Sequence, residues 1–299
     1  VVTGIIRREE ALSDNTQDAT KASHLARKIG HYAIGPMTYG LCHWLNNQLV
    51  ADKRDLVLFL GRDGYLPHKI LLNWQSKYGC LRNTKLVYFP FSRRAAALAC
   101  AAGGVTSLVR DTLGHHRRTV LLRDYFERIG LDINDHSDAI LAAGFSSNED
   151  VVHRYKDRKR MEHLITLIES TLEEMGKSEK EALLIALKKA GYDRSQRPAI
   201  FDIGWRGTQQ ACLQSILSDG PELHGYYLSI SDALPAAGTT SGYLVNNGLP
   251  RELRGLLESA TPIVEISYSS TEPYLLHYGQ NAGRHYLIQG EENPNASAI

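Results

Sequence analysis

Hydrophobic and polar positions change their spacing several times along the chain, and each change marks an element. Residues 1–22 are polar and read as irregular. From Ala22 to Leu49 apolar residues recur at helical intervals, with Leu25, Ile29, Tyr32 and Ile34 followed by Leu41, Trp44, Leu45 and Leu49. Gly35-Pro36 interrupts that pattern and predicts two helices with a break between them. After the charged Asp52-Lys53-Arg54-Asp55 comes Leu56-Val57-Leu58-Phe59-Leu60, apolar on both faces, which is the spacing of a buried parallel strand. Gly61-Arg62-Asp63-Gly64 ends it, and residues 66–74 read as a helix. Residues 85–89 predict a second strand, followed by Ser92-Arg93-Arg94 and an alanine-rich helix over 95–102.

The pattern then turns helical and highly charged from 105 to 195, with apolar Leu164, Ile165, Leu167 and Ile168 in a heptad-like group. This segment reads as an insertion forming a hood over the sheet. Pro198-Ala199-Ile200-Phe201 makes another short strand, broken at Asp202-Ile203-Gly204-Trp205-Arg206-Gly207-Thr208, and residues 209–217 follow as a helix. Residues 225–230 give a further strand, and the tail after Gly242 is mixed. Strands alternating with helices predict an α/β fold around a parallel sheet. The expected organisation is an N-terminal helical lead-in over 1–50, an α/β core from 51–104 and 196–299, and the helical insertion over 105–195.

Composition narrows the functional classes. With 34 Lys+Arg against 33 Asp+Glu the net charge is +1, so no general attraction to nucleic acid is expected and any anion site must be local. Cys42, Cys80, Cys100 and Cys212 are scattered without a CxxC pair, which predicts reduced thiols and no zinc site. No apolar run approaches the roughly 20 residues that a membrane-spanning helix needs, so a cytoplasmic protein is expected. A chain beginning at Val1 reads as part of a longer one. Of the twelve histidines, His115-His116 are adjacent and His153 and His163 lie in the charged segment, none at metal-ligand spacing.

Two loops carry the chemistry. In open α/β sheets ligands bind beyond the carboxyl ends of the strands, and residues 61–65 and 202–208 both lie there. Gly61 and Gly64 allow a sharp turn and close approach of backbone to a ligand, with Arg62 and Asp63 between them and a helix start following. Gly204 and Gly207 flank Trp205 and Arg206, with Asp202 closing the strand and Thr208 at the next helix start. Each loop could also be a plain strand-to-helix turn capped by its Asp or Thr. Arg93 and Arg94, at a helix N-terminus where cations oppose the dipole, are better explained by an anion nearby.

Leu58-Phe59-Leu60-Gly61-Arg62-Asp63-Gly64-Tyr65, Ser92-Arg93-Arg94 and Phe201-Asp202-Ile203-Gly204-Trp205-Arg206-Gly207-Thr208 resemble the region found beside HAD-type phosphatase domains in bacterial polysaccharide gene products. With Gly35-Pro36 and Trp44, the likeness covers roughly residues 30–275 and is to the glycan phosphoribosyltransferases. It implies a phosphoribosyltransferase-like core that transfers 5-phosphoribose from phosphoribosyl pyrophosphate (PRPP), accompanied by Mg²⁺, to a glycan acceptor such as a lipid-linked oligosaccharide. The product would be ribofuranose-containing polysaccharide, made at the inner membrane face, with a HAD-type phosphatase as partner. In the wider phosphoribosyltransferase pattern the PRPP loop carries two neighbouring acidic residues; this chain has only Asp202.

On that reading Gly61, Arg62 and Gly64 hold pyrophosphate, assisted by Ser92, Arg93 and Arg94. Gly204, Trp205, Arg206, Gly207 and Thr208 cradle the 5-phosphate, and Asp202 holds the ribose hydroxyls directly or through Mg²⁺. Asp63 is the first candidate for general base, ahead of Glu258, Glu265 and Glu272, while Tyr65 and Trp205 could stack on the acceptor sugar. A nucleotide-sugar-dependent glycosyltransferase and a non-catalytic PRPP-sensing or scaffold module remain alternatives. A HAD-type phosphatase is disfavoured, because neither Asp63 nor Asp202 lies in an Asp-x-Asp-x-Thr motif.

Overall fold

Five strands, β1 (Leu56–Leu60), β2 (Lys85–Phe89), β5 (Pro198–Asp202), β6 (His224–Ile230) and β7 (Thr240–Asn246), form one sheet in the order β2-β1-β5-β6-β7. Every neighbouring pair in it is parallel. The computed structural model describes residues 27–114, 119–231, 233–234, 237–248, 250–270, 275–281 and 284–289. The α/β class with a parallel sheet, expected from the alternation of elements, is what the chain adopts, and it is compatible with a phosphoribosyltransferase-like core. All five β1 residues are buried, which accounts for an unbroken apolar run where a half-exposed strand would alternate. Each such side chain contributes roughly 1.5–3 kcal/mol by leaving water.

Helices cover both faces. On one face α1 (Gly35–Ala51) and α2 (Tyr65–Tyr78) pack Leu41, Leu45, Leu49 and Leu71 against Val57, Phe59, Phe201 and Tyr226. On the other, α3 (Arg93–Ala101), α8 (Glu169–Ala190) and α9 (Thr208–Ile216) pack Ala95, Ala99, Leu183, Leu187 and Leu213 against Leu56, Leu58, Leu60 and Ile200. The alanines of α3 are explained by its position, because its opposite side (Ala97, Leu98, Ala101) belongs to a second core. Close approach of α8 to α3 requires Gly176, where a Cβ would lie 2.5 Å from the Leu98 carbonyl oxygen.

That second core is built by the segment between β2 and β5. It comprises α4 (Ser107–Leu113), α5 (Leu122–Ile129), α6 (Ser137–Ala142), α7 (Arg158–Leu167) and a two-stranded antiparallel ribbon of β3 (Thr119–Leu121) and β4 (Val151–His153). The ribbon was not legible as strands, since three residues each leave no periodicity to read. Helix α8 starts in this core at Leu172 and ends in the sheet's own helix layer at Ala190, so it bridges the two.

The expected break at Gly35-Pro36 is corrected. A single π-turn, Gly30–Ile34, runs directly into α1, with the Gly35 N–H bonded to the Gly30 oxygen. Pro36 sits in the first turn of α1 directly after the π-turn, and the widened turn accommodates its ring and missing N–H. The tail resolves into β7, α10 (Arg251–Tyr268) and an antiparallel hairpin of β8 (Leu275–Asn281) and β9 (Arg284–Gln289). Among the described residues no helix is long and apolar enough to cross a membrane. Residues 1–26 of the lead-in, His115, His116 and Glu272 lie outside the described residues.

Candidate active site

The chain passes from β1 to β2 on one side and later enters β5 on the other, so the crevice between the carboxyl ends of β1 and β5 is the topological switch point of the sheet. Both chemistry-bearing loops open into it. Gly61 turns the chain with φ +52°, its N–H bonded to the Phe89 oxygen at 3.0 Å. A Cβ there would lie 2.7 Å from the Phe91 carbonyl oxygen, so only glycine fits. Gly64 is the N-cap of α2 and no side chain caps that helix. Asp63, which a simple turn would use as the cap, instead accepts a hydrogen bond from Ser269 Oγ at 3.0 Å. The Arg62 carbonyl accepts the Ser270 N–H at 3.3 Å. Tyr65 packs edge-on to Tyr88 at 5.6 Å, with Lys69 Nζ 5.2 Å from its ring.

At the second loop Asp202 is 5% exposed, its Oδ1 accepting the Ile203 N–H at 2.8 Å and its Oδ2 a hydrogen from Gln209 Nε2 at 3.2 Å. A Cβ on Gly204 would lie 2.2 Å from the Ser229 oxygen. Gly207, at φ +71°, is the N-cap of α9, and again no side chain caps the helix. Thr208 is the first residue of α9. The Trp205 indole N–H donates to Glu265 Oε1 at 3.1 Å, while Arg206 is exposed with its carbonyl accepting the Leu234 N–H. Two glycine-led helix starts thus lie at adjacent strand ends, and they differ: at α2 the Tyr65 N–H is held by the Arg62 carbonyl at 3.2 Å and Pro67 has no N–H, whereas the first turn of α9, Thr208 to Gln210, has the amide groups suited to phosphate.

The Asp63 charge acts on Asp202. Asp202 is pushed up to about 7, first by burial and then by the Asp63 charge, with the Ile203 N–H, Arg93 and Gln209 opposing. Asp63, half-buried as a residue, is also raised, by burial first and by the Glu265 charge, against Ser269, Arg62 and Arg93. Two carboxyls both raised above their ordinary range can give and take protons closer to neutrality than exposed carboxylates do. Arg93 lies in the field of both acids and Arg62 in that of Asp63, so the crevice combines two carboxyls with two guanidinium groups.

The remaining expected residues divide. Ser92 is the N-cap of α3, its Oγ accepting the Ala95 N–H at 3.1 Å. Arg94 is corrected: it turns away from the crevice and donates to the Ile129 carbonyl at 3.1 Å, beside Glu179. That carbonyl ends α5, where a cation is favourable, so the unfavourable place of Arg94 at the start of α3 is offset locally. Glu265 reaches the site, and nothing is described of the Glu258 side chain. Ser269, Ser270 and Gln209 were missed; only Gln209, one residue beyond the Gly207-Thr208 pair, had a sequence neighbour that could have flagged it. Among the described residues no group of three or more His, Cys, Asp or Glu side chains gathers as a metal set. In comparisons with known proteins, no family model matches the chain and no curated protein is matched by it.

Proposed function

We propose that the crevice binds PRPP and transfers its 5-phosphoribosyl group to a hydroxyl of a glycan acceptor, releasing pyrophosphate. The observation that carries this reading is the meeting of Asp63, Asp202, Arg62 and Arg93 with two uncapped helix starts, at Gly64 and Gly207. A donor with a phosphate at one end and a pyrophosphate at the other needs two anion cradles separated by a polar centre.

In this mechanism the Gly61–Gly64 turn, Arg62 and Arg93 hold the pyrophosphate, and the start of α9 with Thr208 holds the 5-phosphate. The acceptor oxygen forms a bond to the anomeric carbon as the bond from that carbon to pyrophosphate breaks. Negative charge grows on the leaving group, where fixed cations and N–H dipoles stabilise it. Asp63, with its carboxyl raised toward the working pH, takes the acceptor's proton. Asp202 accepts from ribose hydroxyls, with Gln209 orienting it. A buried Asp202 raised by the Asp63 charge suits a Mg²⁺ brought in with the donor, since Mg²⁺ is commonly held by one or two carboxylates plus substrate phosphates. Such an ion would neutralise charge on the departing pyrophosphate.

The acceptor as a lipid-linked glycan at the inner membrane face, and a HAD-type phosphatase that removes the 5-phosphate afterwards, are further parts of the proposal. The experiment is calorimetric titration of PRPP with and without Mg²⁺, beside a nucleotide sugar, on the wild type and Arg62→Ala. Micromolar PRPP binding that weakens at least about 10-fold in the variant is expected, from loss of one charged hydrogen-bonding group. Binding of the nucleotide sugar and not PRPP would overturn it in favour of an ordinary glycosyltransferase. PRPP binding without turnover on any glycan acceptor would point to a sensor or scaffold.

A further inference from the structure

The β3–β4 ribbon has one buried and one outward face. Val152 is fully buried and its partner Val120 packs beside it, so the register places Leu121 opposite Val151 and Thr119 opposite His153 on the other side. That outer face shows an apolar pair, with Val151 50% exposed, and leads at one end into His153-Arg154-Tyr155-Lys156. Tyr155 is 81% exposed, with the Arg154 guanidinium 5.5 Å from its ring. The four residues line an open hollow of about 520 Å³.

Charge at this tip is one-sided for a structural reason. The single carboxylate in residues 153–160, Asp157, is buried and turned inward, accepting the His153 N–H at 2.8 Å and an Arg160 hydrogen at 2.9 Å. Arg158 is engaged with Glu162 at 2.8 Å, and Arg160 is stacked over Phe145 at 3.9 Å. Lys156 and Lys159 are exposed and make no ion pair among the described residues. At the other end of the ribbon Glu149 is paired with Arg123 and Asp150 with Arg160.

The geometry points to the ribbon tip as a docking surface for an anionic lipid bilayer. An exposed tyrosine between cations, continued by an apolar Leu121–Val151 pair, matches the layered chemistry of a membrane surface, with anionic head groups outside and hydrocarbon beneath. A nucleic acid would use the cations and the tyrosine but has no use for the aliphatic pair. The assignment is independent of what the crevice binds.

Co-sedimentation with vesicles tests it on the intact chain. Vesicles of equal parts phosphatidylcholine and phosphatidylglycerol should carry the protein down, phosphatidylcholine alone should not, and high salt should release it. Lys156→Glu combined with Lys159→Glu should weaken partitioning at least about 30-fold, from two cations near an anionic surface. Lys77→Glu combined with Lys188→Glu, the same change in net charge elsewhere, should leave it within about 2-fold. Tyr155→Ser should weaken binding without changing its salt dependence. Equal binding of both vesicle types, no binding to either, or equal losses in the two double variants would overturn the inference. Retention of a duplex oligonucleotide that depends on Lys156 and Lys159, with vesicles ignored, would replace it with a nucleic-acid surface.

Discussion

Glu179 offers the cleanest test of the electrostatic reasoning, because it is 4% exposed and lies in the packing between α8 and the C-terminal hairpin, outside the crevice. Its Oε1 accepts the Tyr278 N–H at 2.9 Å. Burial pushes its carboxyl from 4.5 up to about 7, against the pull of the Tyr278 N–H and Arg94. A raised acid binds more protons folded than unfolded between these two values. Its contribution to stability is therefore complete below about 4.5 and is lost as pH rises through about 7. A shift of that size is about 3 kcal/mol at 1.36 kcal/mol per unit. Glu179→Gln retains an acceptor for the Tyr278 N–H and removes the ionisation. Urea denaturation of both proteins from pH 4.5 to 8.5 should show matching stability at the acid end and a variant more stable by up to about 3 kcal/mol at the alkaline end. Taking the difference between the two proteins cancels the similar slope contributed by Asp202. A variant that tracks the wild type at every pH, or is weaker above pH 7, would refute the reasoning.

Two further outcomes are expected. Gly61→Ala places a Cβ 2.7 Å from the Phe91 carbonyl oxygen at φ +52°, and should cost about 2–4 kcal/mol in denaturant unfolding; a loss under about 1 kcal/mol would mean the loop relaxes freely. Glu265→Ala removes both the Trp205 acceptor and a negative charge that raises Asp63, so carbon NMR titration should find Asp63 ionising at lower pH than in the wild type.

Local rules made the sheet readable and left the site half-read. β1 and β5 are buried on both faces, so their apolar runs carried the assignment, and Gly61 after the one and Asp202 at the end of the other mark the carboxyl edge. The switch-point loops followed from that edge. What could not be read was where separate segments meet. Asp63, first candidate for general base, could as well have been a helix cap because sequence shows only its neighbours, whereas its partner Ser269 is 206 residues away. Arg94 looked like an anion ligand for the same reason, its actual acceptor being 35 residues on. The π-turn before Pro36 escaped because Gly-Pro signals a break in most helices, yet here the helix absorbs the proline by widening one turn.

The segment from Glu265 to Ser270 touches Trp205, Asp63 and the Arg62 carbonyl, which ties the crevice to a late part of the chain. On a ribosome adding about 5–20 residues per second, the 206 residues separating Asp63 from Ser269 take roughly 10–40 seconds to emerge. Through that interval the first loop has left the ribosome, joined by the second for the last 61 residues (269 − 208), while Asp63 still lacks the Ser269 hydroxyl. A nascent chain therefore carries the crevice residues before the crevice is closed, and its final electrostatics are set only when α10 has docked.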